Sequence, residues 1–82
     1  MHRQYLAAHV KQALIMDPRV GATDLRVEVR HEVVHVYGEV DSWETRQAID
    51  AVLGELVEVE NFVNHTRLRV LALPGHESLL PP

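Results

Sequence analysis

The stretch RVEVRHEVVHVYGEV, Arg26 to Val40, constrains the fold more than any other part of the chain. It alternates apolar and polar residues as a strand does, yet its apolar positions change parity. Leu25, Val27 and Val29 are odd, whereas Val34, Val36 and Val40 are even. Successive strand side chains point to opposite faces, so one unbroken strand would turn half of its own core side outward. The chain must therefore reverse between Val29 and Val34. A two-residue turn at His31-Glu32 sets Arg30 opposite Val33, Val29 opposite Val34, Glu28 opposite His35, Val27 opposite Val36 and Arg26 opposite Tyr37. Both Val–Val pairs then share one face, and Glu28–His35 and Arg26–Tyr37 share the other. Tight hairpin turns use positive φ, which His and Glu adopt reluctantly. The expectation is a distorted turn, a bulge or a loop shifted by one residue.

The flanking segments read as helices and one further strand. In YLAAHVKQALIMDP, Leu6, Val10, Ala13 and Leu14 fall on one helical stripe, with Arg3, Lys11 and Gln12 free to face water. Pro18 disfavours helical geometry at Asp17, so this helix should end near Met16. In DSWETRQAIDAVLGEL, Asp41 or Ser42 can cap the start, with Glu44 placed for a capping box from Asp41. Ala48, Ile49, Val52 and Leu56 form its stripe, and Gly54 weakens or caps its last turn. EVENFVNHTRLRVLAL reads as a third strand, with Phe62, Thr66, Leu68 and Val70 on one side and Val63, His65, Arg67 and Arg69 on the other.

The order is helix, strand, strand, helix, strand. A βαβ unit sets its two strands parallel, so the expected class is α+β: a three-stranded mixed sheet with both helices on one face. Residues 1–71 make one domain and 72–82 a flexible tail. Apolar residues are 46% of the 82, enough for a packed core, and no Cys is present.

The formal net charge of −4 disfavours a general nucleic-acid binder. Tyr37 stands without the set of stacking aromatics that RNA-binding sheets carry. No run approaches the length of a membrane span, and MHRQYLAAHVKQALIMDP is too interrupted for a secretory signal. A full-length chain would thus be cytoplasmic.

Several residues resemble those of the BON domain, a small module common in bacterial envelope proteins. They are DPRV (Asp17–Val20), LRVEVR (Leu25–Arg30), VVHVYGEVDSW (Val33–Trp43), Arg46–Ala48, and the spaced Val59, Phe62, Asn64 and Leu68. The family's central Gly falls on Gly38, its following Val on Val40 and its last-strand Asn on Asn64. The chain departs from the pattern at His31-Glu32, Glu58 and Thr66. The resemblance implies an αββαβ fold and a non-catalytic binding module that contacts phospholipid membranes or envelope partners. If the chain is cut from a longer one, it also implies the cell envelope or periplasm.

The residues themselves point the same way. Catalysis needs a positioned nucleophile or acid–base pair; Ser42 reads as a cap, Ser78 lies in the tail, and no carboxylate pair stands out. Six His raise a metal reading. However, His31 and His35 lie about 13 Å apart along a strand, and His35 with His65 alone is no zinc signature. No metal or cofactor is expected.

The sheet face opposite the helices gathers the candidates: Arg26, Arg30, His35, Tyr37, His65, Arg67 and Arg69, opposed by Glu28 and Glu39. Cross-strand Glu28–His35 and Arg26–Glu39 contacts are expected there. Trp43 is either a half-buried staple or an exposed membrane anchor. Gly38 is expected to lie under a tightly packed helix. The leading expectation is binding of phospholipid or another anionic ligand through this face. The rival is protein interaction or homo-oligomerisation through the face or the edges of the first and third strands.

Overall fold

Helix α1 (Arg3–Met16) and strands β1 (Leu25–Arg30) and β2 (Val33–Val40) open the fold. Helix α2 (Trp43–Glu55), β3 (Asn61–Asn64) and β4 (Arg67–Leu68) complete it. The structure is a computed structural model that describes residues 3–21 and 24–69. The expected tail and Val70 lie outside the described residues.

The hairpin has the register that parity dictates. Arg30 pairs with Val33, Val29 with Val34, Val27 with Val36 and Arg26 with Tyr37, in antiparallel sense. The turn is neither bulged nor shifted. His31 and Glu32 both adopt positive φ, 51° and 65°, as the two central residues of a type I′ turn must. The match between that turn's twist and the strands' twist outweighs the poor suitability of the two side chains.

Strand β2 also pairs in parallel with β3 on its other side, completing the mixed sheet in the order β1-β2-β3. The third strand is broken into two pieces. Val36 pairs with Asn64 and Glu39 with Arg67, both 28 residues apart, so register is kept across the break. His65 N–H still reaches Val36 C=O at 2.8 Å and Arg69 N–H reaches Val40 C=O at 2.7 Å. The N–H of Thr66 turns inward instead, to the Asn64 side chain at 2.9 Å. Asn favours such a local turn because its carbonyl mimics a backbone acceptor.

Both helices feed one core. Val10 and Leu14 from α1 and Ile49, Val52 and Leu53 from α2 close over Leu25, Val34, Val36 and Val40. Helix α1 stops at Met16 as Pro18 requires. Arg19 then clasps the loop to α2, with two bonds to the Glu55 carboxylate at 2.8 and 3.0 Å and two more to Asp17 at 2.9 and 3.1 Å. The Arg19 guanidinium lowers both carboxyl pKa values, and its own is raised.

Two alternatives at α2 are resolved. The α2 cap is Ser42, whose hydroxyl accepts from Thr45 N–H at 3.1 Å. The helix begins at Trp43, so Thr45 rather than Glu44 occupies the third helical position, and no Asp41 box forms. Gly54 is inside the helix, which is capped at Leu56. No described helix is long and apolar enough to cross a membrane.

Candidate functional site

Gly38 lies in β2 opposite Leu25 with φ of 147°. A Cβ built there meets the Asp24 carbonyl oxygen at 2.7 Å and Leu25 Cδ2 at 3.0 Å. The close approach is thus from the residue that leads into β1 and from Leu25 at its start, not from a helix. Only Gly holds this conformation at such a distance, and it lets the hairpin stay paired to its open end.

On the helix side, α2 meets the break in the third strand through a polar seam. Arg46 Nε donates to Thr66 C=O at 3.0 Å and its Nη2 to Asn64 C=O at 3.2 Å. Asn64 Nδ2 donates back to Arg46 C=O and to the Asp50 carboxylate, each at 3.1 Å. Thr66 is buried, and its hydroxyl donates to Asn64 Oδ1. The seam thus pairs the Asn64 and Thr66 carbonyls and the Thr66 N–H and hydroxyl at the interruption, as buried polar groups require. Trp43 is 53% exposed at the head of α2. The Arg46 guanidinium lies 5.3 Å above its ring.

The opposite face has no described element over it. There the expected residues come together in a row. Arg26 lies 4.7 Å over the Tyr37 ring, and Tyr37 stacks on His65 with centroids 4.6 Å apart and planes within 6°. His65 meets His35 through a Nδ1···Nε2 hydrogen bond of 3.0 Å. Parallel pairing of β2 with β3 produces this meeting, since His35 sits opposite Val63 and His65 follows two residues on. One imidazole must donate and the other accept, so a single proton bridges them. Partial burial, then the Arg30 and His65 charges, lower the His35 pKa from its ordinary 6.5, against a weaker opposing pull from Glu28. Among the described residues no group of three or more His, Cys, Asp or Glu gathers as a metal site.

The four Arg residues of this face are not equivalent. Arg26 and Arg30 share Glu28, at 3.1 and 3.4 Å, and Arg30 also donates to Tyr37 Oη at 2.7 Å. Arg69 faces Glu39 at 3.8 Å and Asp41 at 3.4 Å. Glu28 still faces His35 across the hairpin as expected, but its ion pairs run along β1 to Arg26 and Arg30, and in place of the expected Arg26–Glu39 contact Glu39 faces Arg69. Arg26, Glu28 and Arg30 alternate on one strand, which sets Glu28 between the two guanidinium groups. The Arg67 side chain makes no hydrogen bond or ion pair among the described residues, and neither does that of Lys11.

Lys11 and Arg67 meet in a groove of about 490 Å³ at the open end of the hairpin, with Asp24, Arg26, Tyr37 and His65 also on its walls. Sequence periodicity gave no sign of Lys11 or Asp24 as site residues. Lys11 reads only as a water-facing helix position, and its nearness to the sheet end depends on how α1 crosses β1. Arg46 carried one usable signal, its place beside Asn64 in the family pattern.

The BON domain family's sequence model matches residues 2–70. No curated protein is similar enough to the chain to count as a match.

Proposed function

The chain belongs to the BON domain family, and from that premise we propose that it is a non-catalytic module that docks on phospholipid surfaces carrying anionic headgroups, through the open sheet face. The observation that carries this reading is the uncovered face itself. It sets four guanidinium groups, Arg26, Arg30, Arg67 and Arg69, around the Tyr37–His65–His35 row. Their carboxylate partners Glu28, Glu39 and Asp41 are at the surface, where ion pairs hold weakly and exchange readily. A guanidinium fork suits phosphate as well as carboxylate. The half-buried Tyr37 and His35 rings and the exposed His65 ring offer amphipathic tips of the kind that settle at a headgroup layer.

The test is co-sedimentation with vesicles of phosphatidylglycerol in phosphatidylcholine, across a salt series. Binding at low ionic strength that fades as salt screens the charges supports the proposal. Absence of binding at low salt overturns it.

The edge strands support a second reading, in which a partner chain pairs with the sheet. Strand β1 has no partner on its outer side in the sheet order, and an unpaired edge can accept another strand. Sedimentation equilibrium separates the two readings: a monomer at high concentration removes self-pairing.

A further inference from the structure

The charge accounting on the open face narrows where a phosphate can bind. Arg26 and Arg30 are drawn onto Glu28, and Arg69 onto Glu39 and Asp41. A ligand approaching the middle of the face must displace these carboxylates. At the open end of the hairpin it need not, because Lys11 and Arg67 carry no intramolecular partner among the described residues and both line the same groove. We infer that this groove is a phosphodiester subsite, an inference that rests on the proposed lipid-docking function and locates its headgroup contact.

The chemistry of the walls selects the ligand class. Arg67 offers a planar fork of donors and Lys11 a compact charge, the two means by which proteins hold phosphate oxygens. Tyr37 and His65 stack on each other and add the carbon edges of their rings to the groove wall. Gly38 is also at the groove, where its backbone lies close against Asp24 and Leu25. Glu39 reaches the groove as well, facing Arg69.

Asp24 is the exception, an exposed carboxylate in the same groove that has no partner among the described residues. It repels a dianionic phosphate monoester more strongly than a monoanionic diester. It also accepts hydrogen bonds from a hydroxyl or amine substituent. A monoanionic phosphodiester with a polar alcohol substituent satisfies both. Such a group occurs in a glycerophospholipid headgroup and in a free glycerophosphodiester, and the test distinguishes them.

The experiment measures affinity for phosphatidylglycerol vesicles and amide shifts with soluble glycerophosphoglycerol. It compares the wild-type chain, the Lys11→Gln/Arg67→Gln double variant and Arg30→Gln. Both groove side chains are exposed and unpartnered, so the double variant keeps its fold, which thermal unfolding verifies. The expected result is a loss of about thirtyfold in vesicle affinity for the double variant, from two basic residues near an anionic surface. Arg30→Gln should lose about twofold or less, because its charge is already shared with Glu28. The soluble diester should shift the Gly38, His65 and Arg67 amides of the wild type.

If Arg30→Gln weakens vesicle binding as much as the double variant does, the groove is overturned and the whole-face reading stands. If the wild type ignores both the vesicles and the soluble diester, both fail together. Diester shifts in the groove without vesicle binding keep the subsite and overturn the membrane reading.

Discussion

Arg46 and Arg67 lie on opposite sides of the same broken strand, and their surroundings differ in kind. Arg46 is fixed between two backbone carbonyls, those of Asn64 and Thr66, and beneath it the Asn64 amide and Asp50 complete the set. Arg67 points from the next strand segment with no partner among the described residues. The contrast teaches that charge alone does not mark a binding residue. A guanidinium that holds the interruption together is structural; one that the fold leaves unspent is available for a ligand. The His35–His65 bond and the Glu28-centred pairs lie between these extremes, exposed enough to rearrange.

Substitutions on the two sides should separate cleanly. Asn64→Ala is expected to have the largest effect on stability, a loss of about 3 kcal/mol, because it orphans several part-buried groups at once. Urea unfolding measures it, and a loss no greater than that of an exposed-face variant would erase the distinction. Gly38→Ala should cost about 2 kcal/mol, from its φ and from the clash with Asp24 C=O. Its amide spectrum should show disturbance in both β1 and β2, not in the helices. On the open face, Arg30→Gln should change stability by less than about 0.5 kcal/mol, with the same unfolding assay as its check.

The smallest expected effect is a pH slope. The lowered His35 pKa means that the unfolded chain takes up this proton more readily than the fold does. Stability should therefore fall as pH drops below about 6.5 towards the folded value, and His35→Gln should flatten that slope. At lower pH the sign is the same for a different reason. Asp17 and Glu55 have depressed values because of Arg19. Their contribution is complete above the ordinary carboxylate range and is lost as pH falls through the depressed values. Arg19→Gln should remove that acid-side component of the unfolding profile.

The hairpin register was legible in the sequence because period-two burial leaves no freedom: Val27, Val29, Val34 and Val36 can share a face in one pairing only. The conformation of His31-Glu32 was not, since strand twist imposes its positive φ against local preference. Replacing the pair by Asn-Gly should raise stability by about 1 kcal/mol. The break at residues 65–66 was equally hidden. Phe62, Asn64, Thr66 and Leu68 keep their alternation through it, and what interrupts the ladder is one side chain capturing one N–H. For the site, parity put Arg26, Arg30, His35, Tyr37, His65, Arg67 and Arg69 on one face, as found. Which of those Arg residues is already paired depends on side-chain reach, and Lys11 enters from an element whose crossing over the sheet no periodicity specifies.

The most direct test is an amide NMR titration of the labelled protein with phosphatidylglycerol vesicles or micelles. Perturbations gathered on Arg26, Tyr37, His65 and Arg67, and reversed by salt, are the expected result. Perturbations centred on Trp43 and Arg46, or none at all, would contradict the assignment of the open face as the binding surface.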